Sequence, residues 1–308
     1  MSQLSDVSII GLGAMGWGAA LSLLRDGFNV YGVDVRSEAL EQLRAEHGKP
    51  CQSPAEAAKL APVVMIFVVN DAQTEEVLFG QDGAVAAAEA GTLFINCSTI
   101  SPSSAISFGK RIESAGMRAI DAPVSGGSAR ALRGEVTVMA SGKSEAFDIA
   151  GPLFDAISSK VIRLGGEIGQ ASRIKMINQL LSDVHIAVAA EAMTLASKIG
   201  VDLATMYEVI INSTGNSWMF EDRGAHIVNG DYAARSAIDI IVKDLGIVSA
   251  EAESVGSAIP MASAALGLFS EAEVEGYGKE DGAAVAKLLG KKSGASLPGV
   301  TDPSVDTA

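Results

Sequence analysis

The stretch that decides the fold is Asp6-Val-Ser-Ile-Ile-Gly11-Leu-Gly13-Ala-Met-Gly16, followed by Asn29-Val-Tyr-Gly-Val33-Asp34. An apolar run at 7–11 breaks into glycines at 11, 13 and 16, and the segment at about 14–26 has helical composition. The first glycine allows a tight turn, the second lets a pyrophosphate approach the backbone, and the third lets helix pack closely on strand. The helix N-terminus adds unpaired amides and a partial positive charge for the phosphates. A second apolar run ends in Asp34, eighteen residues after Gly16. A carboxylate at that station pairs with the adenine ribose hydroxyls of NAD and repels the extra phosphate of NADP. Arg36, two residues on, partly offsets that repulsion. Gly11, Leu12, Gly13, Ala14, Met15, Gly16 and Asp34 are therefore the expected NAD-binding residues.

Working outward, β-rich runs recur at 63–69, 92–96, 117–121, 135–140 and 160–164, with amphipathic stretches such as 38–46 and 102–115 between them. Strands too apolar to have a wet face, alternating with helices, predict a parallel sheet covered on both sides. Residues 1–165 thus read as a Rossmann-type α/β domain. After Gly165-Gly166 the character changes: Gln170 to Ile199 holds no Gly or Pro, and Gly200 stands where a left-handed cap stops a helix. Some thirty helical residues span roughly 45 Å, enough to bridge two domains. Further helices are expected at 202–212, 238–255, 260–273 and 281–289, so residues 166–308 read as an all-α C-terminal domain joined by a long helix at about 169–199. The tail at 293–308 has turn chemistry.

The length of 308 residues itself favours two domains, and 48% apolar against 19% charged residues supplies a large core. A net charge of −14 argues against nucleic acid or an anionic membrane as partner, so any anion site must be local. Cys51 and Cys97 make no disulfide framework, and the scattered His47, His185 and His226 offer no metal-ligand spacing. Residues 1–6, Met-Ser-Gln-Leu-Ser-Asp, lack the layout of a signal peptide, and a soluble cytoplasmic protein is expected.

Several segments carry possible chemistry. Val69-Asn70 and Thr99 follow the third and fourth apolar strands, where open parallel sheets place ligand loops. Each is a cofactor contact or an ordinary turn. In Asp121-Ala-Pro-Val-Ser125-Gly126-Gly127, backbone amides unscreened by side chains can form an anion nest, or the glycines merely serve a tight turn. Lys175, Asn178, Gln179 and Ser182 fall at i, i+3, i+4 and i+7, one polar stripe among Ile174, Met176, Ile177, Leu180 and Leu181. A buried lysine there loses its proton readily and can serve as a general acid or base, or it forms a structural ion pair. Asp239 and Lys243 are spaced as an i,i+4 ion pair, although Lys243 can equally reach a cofactor. Trp218 and Arg223 fall in a Gly-, Asn- and Ser-rich turn, the tryptophan expected in the core and the arginine solvated, with a role in shaping the pocket as the alternative.

Gly-Leu-Gly-Ala-Met-Gly at 11–16, Asp-Ala-Pro-Val-Ser-Gly-Gly at 121–127, Lys175-x-x-Asn178-Gln179 and Lys243-Asp244-Leu245, in this order and spacing, resemble the β-hydroxyacid dehydrogenases of 3-hydroxyisobutyrate dehydrogenase type. The resemblance runs from residue 7 to about 290. It implies that Lys175 is catalytic, that Asn178 orients the substrate, and that Ser125, Gly126 and Gly127 grip its carboxylate. Thr99 and Lys243 are then cofactor contacts, in a site between the domains. The implied activity is NAD-dependent oxidation of a small hydroxyacid without a metal, in a homodimer or homotetramer built through the helical half, with 256–268 as a candidate contact. Gly215–Phe220, Gly230–Ser236 and Phe67-Val-Val-Asn70 are most similar to the branch that converts L-threonate to 2-dehydro-L-erythronate. At 67–69 many other relatives carry Met-Leu-Pro. The alternatives are 3-hydroxyisobutyrate, tartronate semialdehyde in the reductive direction, or a non-catalytic dinucleotide-binding protein, against which the presence of Lys175 weighs.

Overall fold

The computed structural model describes residues 5–300, and the chain forms two compact units that divide after Met176. The first unit begins β1 (Asp6–Ile10), α1 (Ala14–Arg25), β2 (Asn29–Val33), α2 (Ser37–Ala45), β3 (Lys49–Pro50) and α3 (Pro54–Ala58). It continues β4 (Val63–Ile66), α4 (Asp71–Phe79), α5 (Ala84–Ala87), β5 (Leu93–Asn96), α6 (Pro102–Ser114) and β6 (Arg118–Asp121). It closes with β7 (Val124–Ser125), α7 (Gly127–Arg133), β8 (Val136–Gly142), α8 (Ser144–Ile157) and β9 (Ser158–Arg163). The long helix α9 (Gln170–Lys198) starts in this unit and runs into the second. There it is followed by α10 (Leu203–Ile211), α11 (Trp218–Asn229), α12 (Ile238–Val255), α13 (Pro260–Ala272) and α14 (Val285–Ser293).

The expected Rossmann-type sheet is present, in the order β3-β2-β1-β4-β5-β6-β8-β7 with β9 beside β8. From β3 to β6 every pairing is parallel. The expectation of a wholly parallel sheet needs correction beyond β6, because β8 runs antiparallel to both β6 and β7. Apolar strands report burial on two faces, and that signal is the same in either direction. Alternate strand residues feed two cores: Val63, Met65 and Ile95 pack with Phe147 and Phe154 of α8, whereas Val64, Ile66 and Phe94 pack with Phe108 and Ile112 of α6. The third strand stops at Ile66 rather than at 69. After the Phe67 N–H donates to the Ile10 carbonyl, the chain leaves the sheet.

In the second unit the expected helix at 281–289 begins only at Val285, behind a tight turn at 282–284 that Asp281 caps. The largest correction concerns Trp218 and Arg223, which lie on α11 rather than in a turn. Ser217 opens that helix, its hydroxyl accepting the Phe220 N–H, so the small polar residues before it are a cap. Trp218 is 51% exposed and Arg223 is buried, the reverse of both expectations. Arg223 is buried beside the wholly inaccessible Asp281, whose Oδ1 lies 3.1 Å from its Nε as an ion pair, and Asp222 pairs with its Nη1. The same carboxylate faces His226 Nδ1 at 3.3 Å and accepts the backbone N–H groups of Arg235, Ser236 and Ala283. One anion thus joins α11, the segment before α12, and the turn before α14.

Burial by itself would raise the Asp281 pKa, but His226, Arg223 and the N–H groups of Ala283 and Arg235 outweigh it and hold the carboxyl below its ordinary value. The stabilisation from a lowered carboxyl is complete above the unfolded value of about 4 and is lost as pH falls through the folded one. Asp281→Asn removes the buried charge facing Arg223 and His226, leaving the guanidinium only Asp222, and should cost about 3 kcal/mol in a urea titration at pH 7. The deficit against the parent protein should shrink as the titration is repeated toward pH 3.

Candidate active site

The strand order runs outward from β1 in one direction and from β4 in the other, so a crevice opens at the carboxyl ends of these two strands. Gly11 occupies it with φ +94°, and a Cβ there would stand 2.6 Å from the Phe67 carbonyl oxygen. A Cβ on Gly16 would come within 1.9 Å of the Gly11 carbonyl oxygen, so only glycine lets α1 sit this close to β1. Gly13 is different: a Cβ would meet nothing within 4 Å. It is also the N-cap of α1 and has no side chain to spend on the first-turn amides. The turn is tight where packing needs it and open where an anion would approach, which fits a dinucleotide pyrophosphate. Ala14 and Met15 begin α1, and Leu12 is buried.

Asp34 follows β2 directly. Its carboxylate accepts the Leu12 N–H at 2.7 Å and the Arg36 N–H at 2.9 Å. Arg36 Nε and Nη2 hold its two oxygens at 2.9 and 3.0 Å. Burial acts to raise its pKa, yet the Arg36 hydrogen bonds and the two backbone N–H groups together lower it, so the group is anionic. The Arg36 side chain is 55% exposed and can leave this pairing at small cost. Of the loops after β4 and β5, Thr99 is half-buried. Val69 is 44% exposed and donates its N–H to Gln73 Oε1, while Asn70 caps α4 by accepting the Gln73 N–H.

At the end of β6, Asp121 is 2% exposed, yet it is a hub. One oxygen accepts the N–H groups of Gly169 and Ser172, at 3.1 and 2.9 Å, and the other accepts the Ser172 hydroxyl at 2.8 Å. Ser141 Oγ accepts the Ala171 N–H at 3.1 Å. The start of α9 has no local Ser, Thr, Asp or Asn before it, so β6 and β8 supply its cap. Burial pushes the Asp121 carboxyl up, against the bonds from Ser172 and Gly169 that favour its anion. Four residues on, Ser125 ends β7 and pairs with Thr137, and Gly126 (φ +142°) and Gly127 (φ +72°) open α7. One turn beyond Ser172, Lys175 is 7% exposed. The polar stripe is therefore the covered side of this helix, and Ile174, Ile177 and Leu181 are the half-exposed side.

In the second unit Asn178 Nδ2 donates to Gln179 Oε1 at 3.0 Å, and Gln179 Nε2 donates to Asp244 Oδ2 at 2.6 Å. Lys243 Nζ lies 2.6 Å from Asp244 Oδ1. The expected Asp239–Lys243 pair is replaced, since Asp239 pairs instead with Lys279. Asp121 and Asp244 are the structural carboxylates whose parts the motifs did not reveal. The one available signal was the uncapped start of α9, which says that a cap is needed but not which residue gives it.

A family model described as the NAD binding domain of 6-phosphogluconate dehydrogenase matches residues 6–166. A second, described as the NAD-binding of NADP-dependent 3-hydroxyisobutyrate dehydrogenase, matches residues 169–289. The chain belongs to the β-hydroxyacid dehydrogenase family. The L-threonate dehydrogenase of Cupriavidus necator is 49% identical, over 96% of this chain and 98% of its own. That of Haemophilus influenzae is 46% identical, over 96% and 98% respectively. A 3-hydroxyisobutyrate dehydrogenase from Salmonella typhimurium has a crystal structure that matches with a TM-score of 0.88 at 45% identity, covering 92% of this chain and 99% of that one. This family member is an oxidoreductase that uses a nicotinamide dinucleotide.

Asp121→Ala would leave the Gly169 and Ser172 amides and the Ser172 hydroxyl without their acceptor. It should cost about 2–3 kcal/mol in equilibrium unfolding. Hydrogen exchange should show the loss first in the opening turn of α9, ahead of β1 and β4.

Proposed function

We propose that this enzyme oxidises L-threonate to 2-dehydro-L-erythronate with NAD, using Lys175 as general base. One observation carries the chemistry: an amine buried to 7% exposure, on a helix whose first turn is fixed by a buried carboxylate. A buried amine one turn from that anchor is held in a defined place, from which it can exchange a proton with a substrate hydroxyl. The substrate follows the relatives at 49% and 46% identity, whose names state L-threonate. The Salmonella typhimurium structure, titled a 3-hydroxyisobutyrate dehydrogenase at 45% identity, supports that acid as the second reading.

When bound, NAD supplies the hydride acceptor. Lys175 takes the hydroxyl proton and returns it in the reverse direction. Asn178, one helical turn on, holds the reacting oxygen as its charge changes. Ser125 and the amides of Gly126 and Gly127 fix the substrate carboxylate, so orientation supplies much of the acceleration. Gly11, Gly13 and Gly16 shape the pyrophosphate turn, and Asp34 receives the adenine ribose. Leu12, Ala14, Met15, Val69, Asn70, Thr99 and Lys243 complete the cofactor contacts. We assign residues 1–165 to cofactor binding and 166–308 to substrate binding and oligomerisation. A cytoplasmic homodimer or homotetramer is the proposed working form, supported by Val255 and Met261, 68% and 71% exposed.

NADH formation should be followed with L-threonate, D-threonate, 3-hydroxyisobutyrate and glycerate, each with NAD and NADP. Turnover restricted to L-threonate and NAD is the expected result; preference for 3-hydroxyisobutyrate would discard the substrate while keeping the mechanism. Lys175→Ala should lower kcat by about a thousandfold or more while NADH still binds. Retained turnover would remove the lysine from the chemistry. Asp34→Ser removes the repulsion and releases Arg36 toward a 2′-phosphate, so the NADP-to-NAD ratio of kcat/KM should rise by about tenfold or more.

A further inference from the structure

We propose that Gln179 is a positioning residue, which sets the orientation of the Asn178 amide by reading the buried carboxylate of Asp244. The inference rests on the reading of Asn178 as the group that holds the reacting oxygen. An amide side chain has two flips that differ little in shape but exchange a donor for an acceptor. At a position that must hold an oxygen as it changes from hydroxyl to ketone, the wrong flip puts a carbonyl where an N–H is needed.

The chain of contacts removes the choice. Asp244 is 3% exposed and, as a carboxylate, can only accept. Gln179 touches its Oδ2 at 2.6 Å, so the atom presented must be Nε2. That commits Gln179 Oε1 to the other side, where Asn178 meets it at 3.0 Å. An acceptor there demands the Asn178 Nδ2. One Nδ2 hydrogen is then spent on Gln179, and Asn178 keeps its second N–H and its carbonyl in fixed places. At the far end, Lys243 Nζ neutralises Asp244 Oδ1 at 2.6 Å, so the carboxylate that sets the flip is itself held by a lysine on the same helix, α12. All four residues belong to the second unit, and every link is a direct contact.

Gln179→Met keeps the length of the side chain and removes the bonds to Asn178 and Asp244. It should lower kcat by about tenfold or more. KM for NAD and the NADH affinity read by fluorescence titration should stay within about twofold, because Lys243 and Asp244 remain paired. Combined with Asn178→Ala, it should cost no more than Asn178→Ala alone, since an amide that is absent cannot be misoriented. A folded Gln179→Met enzyme with the parent kcat and an unmoved Asn178 side-chain resonance would overturn the proposal. So would a loss that adds in full to that of Asn178→Ala, or one that falls equally on NADH affinity, as a merely structural residue would give. Asp244→Asn supplies a second route, because an amide at 244 accepts or donates and frees the Gln179 flip; its kcat should fall with the same non-additivity toward Gln179→Met. The side-chain amide resonance of Asn178 needs no turnover: Gln179→Met should move it toward its solvent-exposed position. An unmoved resonance refutes the relay even if the substrate proves to be another acid. A moved resonance with kcat unchanged would instead refute the role of Asn178.

Discussion

The carboxylate of Asp121 is the constraint on which the arrangement of the first unit turns. A helix of 29 residues begins with amide N–H groups that need acceptors, and here the local sequence offers none. Asp121, at the carboxyl end of β6, accepts two N–H groups and a hydroxyl from the segment 169–172. Ser141, its partner across to β8, takes another. The first turn of α9 is therefore fixed in register as well as in position, and Lys175 follows one turn later. The same Asp121 starts the segment that ends in Ser125-Gly126-Gly127. Sheet edge, glycine turn and lysine helix share one anchor.

Buried carboxylates recur as organisers of this acidic chain. Asp281 gathers a guanidinium, an imidazole and three backbone amides, and Asp244 gathers a lysine and an amide. Each is an anion whose several acceptor sites tie together segments far apart in sequence. Such groups add little net stability over a well-packed apolar cluster. They do restrict which arrangement is acceptable, because every lone pair and donor must find its partner. That restriction, rather than added hydrophobic area, is what these buried carboxylates contribute to the fold.

The parts of this fold that were legible in the sequence are those written in local pattern. The glycines at 11, 13 and 16 with Asp34, the strand–helix alternation, and the glycine-free run from Gln170 each state a backbone requirement within a few residues. The direction of β8 was not legible, since burial on both faces is silent about polarity. Helix α11 was read as a turn because its cap, Ser217, belongs to the same Gly/Asn/Ser cluster that marks loops. Arg223 was read as solvated because its partner lies 58 positions further on, and no spacing rule spans that distance. The Asp239–Lys243 spacing misled for the opposite reason: i,i+4 geometry permits a pair, but tertiary partners on each side compete for it.

The loop after β4 shows how a backbone N–H that leaves a sheet is satisfied locally. At Phe67-Val-Val69 the chain turns away from β4 toward α4. Val69 has its N–H at a point where the chain has left the sheet and the ladder no longer accepts it. Gln73 reaches back to take that N–H with Oε1, while Asn70 Oδ1 accepts the Gln73 N–H. This is a variant of the reciprocal cap in which an acceptor at the helix start and an amide three residues on satisfy two orphan donors. The entry into α4 is thus held by a pair of side-chain bonds. The Phe67 carbonyl stays in the place where only a glycine at position 11 can face it. Position 69 then presents a valine side chain, 44% exposed, at the mouth of the crevice.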